Sequence, residues 1–243
     1  MGNRATFVLV HGAFQGGWVW EETAAALRAV GHEVHVPALA GCGHLHHGLR
    51  QGVTLYDHVT DVLDYLRLYD VRDGVLVAHS LSGMTCGAVL ARAAGTPQAL
   101  RQAVYVDAIL PERGRSFVDT AGPGLRAMLD AHLTDGWRVR PWPLPAFGVP
   151  EARAAWFAER LRDFPAAVFE AVFEDDFTHN PAMMSFIACR ATPAPFIRAM
   201  ADKARALGWP VDELDSGHMP MVNRPAELAA LLDAHARRGC MAG

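Results

Sequence analysis

Lysine is almost missing from this chain: Lys203 is the sole example among 22 basic residues, set against 26 acidic ones for a net charge of −4. Without a basic stripe to neutralise phosphates, nucleic acid drops out as a partner. The arginine bias itself reads as codon usage. Cysteine is sparse too. Cys42, Cys86, Cys189 and Cys240 show no C-x-x-C spacing, so neither a zinc site nor a disulfide framework is indicated, and reduced thiols in a cytoplasmic protein are the expectation. Long apolar runs are absent, so nothing reaches membrane-spanning length. The run Thr6-Phe7-Val8-Leu9-Val10 is too short for the apolar region of a secretory leader and reads as a strand. Met1-Gly2-Asn3-Arg4-Ala5-Thr6 fits the myristoylation pattern formally, but with a strand starting almost at once no lipid anchor is expected. Internal repeats and low-complexity tracts are lacking as well.

What is present is an ordinary apolar fraction, 51% of 243 residues, enough for one large domain or a domain carrying an insertion. Phe7 to Val10, Glu33 to Pro37, Gly74 to Ala78, Gln102 to Val106, Met184 to Cys189 and Pro210 to Leu214 read as strands. Between them, Trp20 to Val30 and Leu55 to Leu68 show the apolar spacing of amphipathic helices, Met84 to Ala94 is helix-compatible, and Pro225 to Ala236 closes the chain. Such alternation predicts a mostly parallel α/β sheet covered by helices on both faces. The rhythm breaks from Leu110 to about Met184, a stretch rich in proline and aromatics with no clean strand. The expectation is therefore a core over residues 1–109 and 185–243, with a helical cap inserted at 110–184.

One octapeptide stands out: Leu76-Val77-Ala78-His79-Ser80-Leu81-Ser82-Gly83. A buried strand ends in a serine with small residues two places to either side, and a helix-compatible segment follows. This is the layout of a nucleophile elbow, whose strained turn admits only small neighbours. The usual outer glycines are Ala78 and Ser82 here, and the alternative is a buried strand followed by a serine-rich helix cap. Ser82 is better suited to filling the elbow and donating a hydrogen bond than to attacking a substrate.

A serine hydroxyl needs a base to take its proton. Among twelve histidines, His218 follows the last strand and precedes the last helix, where such a base belongs; the alternative is a loop histidine in solvent. His79 adjoins Ser80 but must point its side chain away. An oxyanion also needs donors in place beforehand. The turn His11-Gly12-Ala13 offers the Ala13 N–H, with Gly12 permitting close approach, and Leu81 offers the second. His44, His46 and His47 beside Cys42 imitate a metal cluster, but their glycine-rich loop lacks a partner motif and reads as solvated. No metal or other cofactor is expected.

Together, Phe7-Val8-Leu9-Val10-His11-Gly12-Ala13, Gly16-Gly17-Trp18-Val19-Trp20, the serine elbow, and Ser216-Gly217-His218-Met219-Pro220-Met221 with Arg224-Pro225 resemble the α/β-hydrolase fold. More narrowly, the chain is similar to the group of plant methyl esterases, hydroxynitrile lyases and bacterial carboxylesterases. The lyases of that group tend to carry threonine where Gly12 stands and lysine where Met219 stands, so the resemblance implies the esterase branch. Gln15 departs from it, since the plant esterases commonly have histidine there. In the plant members the acid of the triad follows the strand equivalent to Met184–Cys189, where this chain has Thr192 and no carboxylate. In some α/β-hydrolases the acid sits instead on the strand after the elbow helix, which selects Asp107; the alternative is that Asp107 only caps the turn into the cap. Asp175 and Asp176 lie within the cap, and Asp215 is too near His218 in sequence to orient it easily.

The resulting expectation is a serine hydrolase acting on a small, mostly apolar ester or lactone. Ser80, His218 and Asp107 form its triad, Ala13 and Leu81 its oxyanion donors, and Gly12 a substrate-side residue. A small molecule is the partner expected, and a homodimer is left open. A second reading keeps the fold but makes the protein a lyase, decarboxylase or cyclase with His218 as general base, motivated by the altered elbow and by Thr192. A third, a ligand-binding protein with a degenerate site, fits the retained serine and histidine poorly.

Overall fold

Six strands make up the central sheet of the computed structural model, which describes residues 4–177 and 180–241. Residues 1–3, and with them the start of the myristoylation match, lie outside, as does the side chain of Cys240. In chain order the elements are β1 (Thr6–Val10), α1 (Glu21–Ala29), β2 (Glu33–His35), α2 (Leu55–Leu68), β3 (Val75–His79), α3 (Ser82–Ala93) and β4 (Gln102–Val106). There follow α4 (Phe117–Ala121), α5 (Pro123–His132), β5 (Leu133–Thr134), β6 (Arg138–Val139), α6 (Glu151–Ala158), β7 (Phe164–Pro165) and α7 (Ala166–Glu170). The chain then returns through β8 (Met183–Cys189), α8 (Pro195–Ala206), β9 (Val211–Leu214), α9 (Pro220–Asn223) and α10 (Pro225–Met241).

The sheet runs β2-β1-β3-β4-β8-β9 and every pairing in it is parallel. All five residues of β3 and of β4 are buried, as strands with helices on both faces must be. Helix α1 packs with α10 and α2 with α3, forming the covering layers. Helix α2 starts cleanly because Thr54 and Asp57 form a reciprocal capping box, and its buried stripe, Leu55, Val59, Val62 and Leu66, faces the core.

Parallel strands place all their C-terminal ends at one edge of the sheet, so the loops after β1, β3, β4, β8 and β9 converge there. The segment between β4 and β8 lies over that edge. It corrects one expectation: β5, β6 and β7 form a small antiparallel sheet. Each is two residues long, so side-chain alternation had no room to register, and pairing rather than pattern defines them. The remainder is helical, with Ser116 and Asp119 boxing the start of α4 and Gly122, at φ +84°, breaking it from α5. The lone lysine helps to hold this segment in place: Lys203 on α8 donates to Leu110 O (3.1 Å) and to Glu112 (2.7 Å).

Cys42, Cys86 and Cys189 are buried free thiols whose ionisation burial strongly disfavours. Among the described residues, no helix is long and apolar enough to cross a membrane, and no group of three or more His, Cys, Asp or Glu side chains is arranged to hold a metal ion. His44, His46 and His47 fall on a 3₁₀ turn over Gly43–Gly48.

Candidate active site

Three non-glycine residues at the convergent strand ends adopt left-handed backbone: Phe14 (φ +67°), Ser80 (+57°) and Asp107 (+44°). Such conformations are disfavoured by roughly 1–2 kcal/mol each and persist only where surroundings impose them. At Ser80, between β3 and α3, the carbonyl accepts from Gly83 N–H (3.2 Å) and from Ile109 N–H (3.1 Å). Ser82 completes the elbow. Its Oγ accepts His79 N–H (2.8 Å), and its own hydrogen faces the carbonyls of His79 (2.8 Å) and Val10 (3.0 Å). The residue that replaces the usual glycine therefore ties β1 to β3, as a glycine has no group to do.

His218 follows β9 in the loop leading into α9. Its Nδ1 lies 2.7 Å from Asp107 Oδ2 and its Nε2 2.9 Å from Ser80 Oγ. An ionised carboxylate only accepts, so Nδ1 carries the hydrogen and Nε2 is free to accept the serine proton. Asp107 is itself anchored on the neighbouring strand. Its N–H donates to Ile187 O (2.8 Å), and Oδ1 accepts Cys189 N–H (3.0 Å). Only 1% of its surface is exposed. Thr192 Oγ1 also approaches Nδ1, at 3.5 Å, but as a neutral hydroxyl. The acid place empty of charge at Thr192 and the carboxylate at Asp107 thus meet at a single nitrogen. Asp175 is engaged elsewhere, in an ion pair with Arg92 (3.0 Å).

His79 does point away from Ser80, and it has work of its own. Nε2–H donates to the carbonyl of His218 (2.7 Å), pinning the loop that carries the base. Burial, reinforced by the nearby His218, holds the His79 ring far below its ordinary pKa and therefore neutral. Adjacency to the serine was the sole signal in the sequence, and it says nothing of this long-range bond. His11, buried at the end of β1, is likewise pushed down to about 4 by desolvation.

Gly12 brings the first turn against the elbow. A Cβ there would sit 3.0 Å from Ser80 Cβ and 3.1 Å from His79 Nδ1, so a side chain would push the turn off the serine. Ala13 and Leu81, the two residues whose N–H groups were expected to face an oxyanion, flank Ser80 at the cavity wall, and neither N–H has an acceptor among the described residues.

Ser80 and His218 open into a cavity of about 370 Å³. The segment between β4 and β8 contributes Phe117, Leu125, Met128, Trp142 and Phe169 to its walls, and the start of α8 contributes Phe196 and Ile197. Besides Ser80 and His218, only Gln15 and the Trp142 indole bring polar side-chain atoms, and no lining residue is charged. The sequence marks this segment as rich in aromatics without saying which of them face the cavity. Sequence reasoning missed α8 as a wall element, because only the packing of the cap decides what faces the cavity.

Comparison with known proteins bears on the family and the fold. A family model described as "Alpha/beta hydrolase family" matches residues 7–231. A carbendazim-hydrolysing esterase of Nocardioides is 33% identical over 242 residues, spanning 95% of this chain and 99% of the relative. Methylesterase 7 of Arabidopsis thaliana is 31% identical, spanning 95% of each. Among solved structures, an extracellular alpha/beta-hydrolase from a Paenibacillus species, described as homologous in structure and function to tobacco Salicylic Acid Binding Protein 2, aligns with a TM-score of 0.82 at 25% identity. That alignment covers 94% of this chain and 97% of the other.

Proposed function

Since this chain belongs to the alpha/beta hydrolase family, we propose that it hydrolyses small, uncharged, largely apolar carboxylic esters through an acyl-enzyme on Ser80. The observation that carries this reading is the continuous relay from Asp107 Oδ2 through the His218 ring to Ser80 Oγ, at 2.7 and 2.9 Å, opening into an apolar cavity. Relatives named as esterases over most of the chain support the reaction type.

In this scheme Ser80 Oγ attacks the ester carbonyl as His218 Nε2 takes its proton. Asp107 keeps the ring in the required tautomer and stabilises the imidazolium. The tetrahedral oxyanion is held by the Ala13 and Leu81 N–H groups, each such donor worth about 3–4 kcal/mol at the transition state. Collapse breaks the bond to the alkoxy oxygen, which leaves as the alcohol with the proton from Nε2. Water, deprotonated by the same nitrogen, then releases the carboxylic acid and restores Ser80. No cofactor enters any step. A wall without charge favours neutral groups on both sides of the ester, since an unpaired carboxylate or ammonium would be desolvated there without compensation. The lyase, decarboxylase or cyclase alternative drew its motive from the altered elbow and from Thr192; against the second, Asp107 lies 2.7 Å from Nδ1 and offers the carboxylate that Thr192 lacks.

The test pairs a fluorophosphonate probe with p-nitrophenyl butyrate. Ser80 should be the labelled residue, and Ser80→Ala should lose both labelling and turnover by a factor of about 10⁶, the order found when a serine nucleophile is removed. Retention of most turnover in Ser80→Ala would refute the acyl-enzyme.

A further inference from the structure

Residue 14 joins a bulky aromatic side chain to a left-handed backbone, a combination that needs outside support. The support comes from the segment between β4 and β8. The Phe14 ring packs against Trp142 (centroids 4.7 Å apart), Phe164 (5.7 Å), Phe169 (5.9 Å) and Phe147 (6.3 Å). Its carbonyl accepts the N–H of Arg162 at 2.9 Å. On the core side, the carbonyl of the next residue, Gln15, accepts Gly43 N–H at 3.1 Å. The turn Gly12–Gln15 is therefore gripped from the cap through one residue and from the 3₁₀ turn at Gly43 through the next. Ala13, whose N–H faces the proposed oxyanion position, is directly bonded to the gripped residue.

We propose that Phe14 is a positioning residue: by holding its ring and carbonyl, the cap holds the Ala13 N–H on the oxyanion that forms at Ser80. This rests on the reading of Ala13 as an oxyanion donor. A side chain that only filled the core would set stability, and one that only lined the cavity would set KM. A residue that aims an oxyanion donor sets kcat, because the lost interaction exists only where charge develops.

Phe14 itself lines the cavity, so the cleaner lever is Phe164, which touches Phe14 and does not line it. The experiment uses the full-length protein and its Phe164→Leu, Phe14→Leu and doubly substituted variants. It reads kcat and KM on p-nitrophenyl butyrate, and inhibition by phenylethylboronic acid, whose boron forms a tetrahedral adduct on a serine oxygen. Phe164→Leu should lower kcat about tenfold, part of the 10²–10³ lost with a whole oxyanion donor. KM should stay within about twofold and boronate affinity should weaken in step with kcat. The double variant should be no slower than Phe14→Leu alone, since both changes act through one contact. A change confined to KM, a kcat at the wild-type value, or additive losses would overturn the proposal. So would a fall in kcat with boronate affinity unchanged, which leaves ester hydrolysis standing. A wild-type protein that neither turns over the ester nor labels at Ser80 refutes the parent reading and this one together. Should Phe164→Leu fail to fold by circular dichroism, Phe164→Met, closer in volume, is read against the same outcomes.

Discussion

The edge of the sheet and the segment that lies over it build one cavity by opposite means. At the sheet edge, Ser80, Asp107 and His218 are held by specific polar contacts to backbone, such as Cys189 N–H on Asp107 and His79 Nε2–H on the His218 carbonyl. Across the cavity, Phe14, Trp142, Phe164 and Phe169 are held by ring packing. Hydrogen bonds fix an atom to within tenths of an ångström and fail when one partner is removed. Aromatic packing is adaptable and tolerates exchanges of similar volume. In the proposed reading, chemistry belongs to the first region and choice of substrate to the second, with the Phe14 turn as the place where they meet.

The sharpest way to break this division is Asp107→Asn. If the sheet edge sets the rate, kcat should fall by about 10⁴ through the wrong histidine tautomer, with KM and the circular dichroism spectrum near wild type. Steady-state kinetics on p-nitrophenyl esters reads this directly, and a loss under tenfold would mean that the acid lies elsewhere.

Met128→Ala probes the other region. It enlarges the cavity at a partly exposed position, so kcat on the acetate ester should stay within about twofold. The ratio of kcat/KM for longer over shorter acyl chains should rise about tenfold, the scale of one or two methylenes in an apolar pocket. An equal fall for every chain length would place Met128 with the rate-setting groups.

A further effect is on stability against pH. His11, beside β1, His58 in α2 and His235 in α10 are all pushed down to about 4, in each case chiefly by desolvation. Unfolding returns them to an ordinary value near 6.5, so between about 6.5 and 4 the unfolded chain binds more protons. Stability is full above that window and falls on acidification through it, by up to about 1.4 kcal/mol per pH unit for each histidine. Melting temperatures at pH 7 and pH 5 should differ accordingly. Since all three residues lie at the end of β1 or in helices that cover the sheet, the fall should appear in the global transition and not as an early loosening of the cap.

Much of the sheet was legible from local pattern. Strands β1, β3 and β4 are short apolar runs, and α2 has an amphipathic stripe behind a capping box. Strands β5, β6 and β7 were not legible, because two residues carry no alternation. Helix α1 was read one residue long at each end; a 3₁₀ turn, Gly17–Trp20, leads into it and ends the apolar spacing differently.

By itself the sequence determined the order of α and β elements, the elbow at Ser80 and the loop that carries His218. Each depends on periodicity and turn chemistry within a dozen residues. Only the tertiary structure decided which carboxylate faces Nδ1, since β4, β8 and the His218 loop must assemble before Asp107 and Thr192 can be ranked against each other. It likewise decided that His79 supports the His218 loop and that Phe14 is gripped by the cap. Those contacts join residues more than a hundred positions apart, and no local preference encodes a distance of 2.7 Å between groups that meet only when the sheet closes.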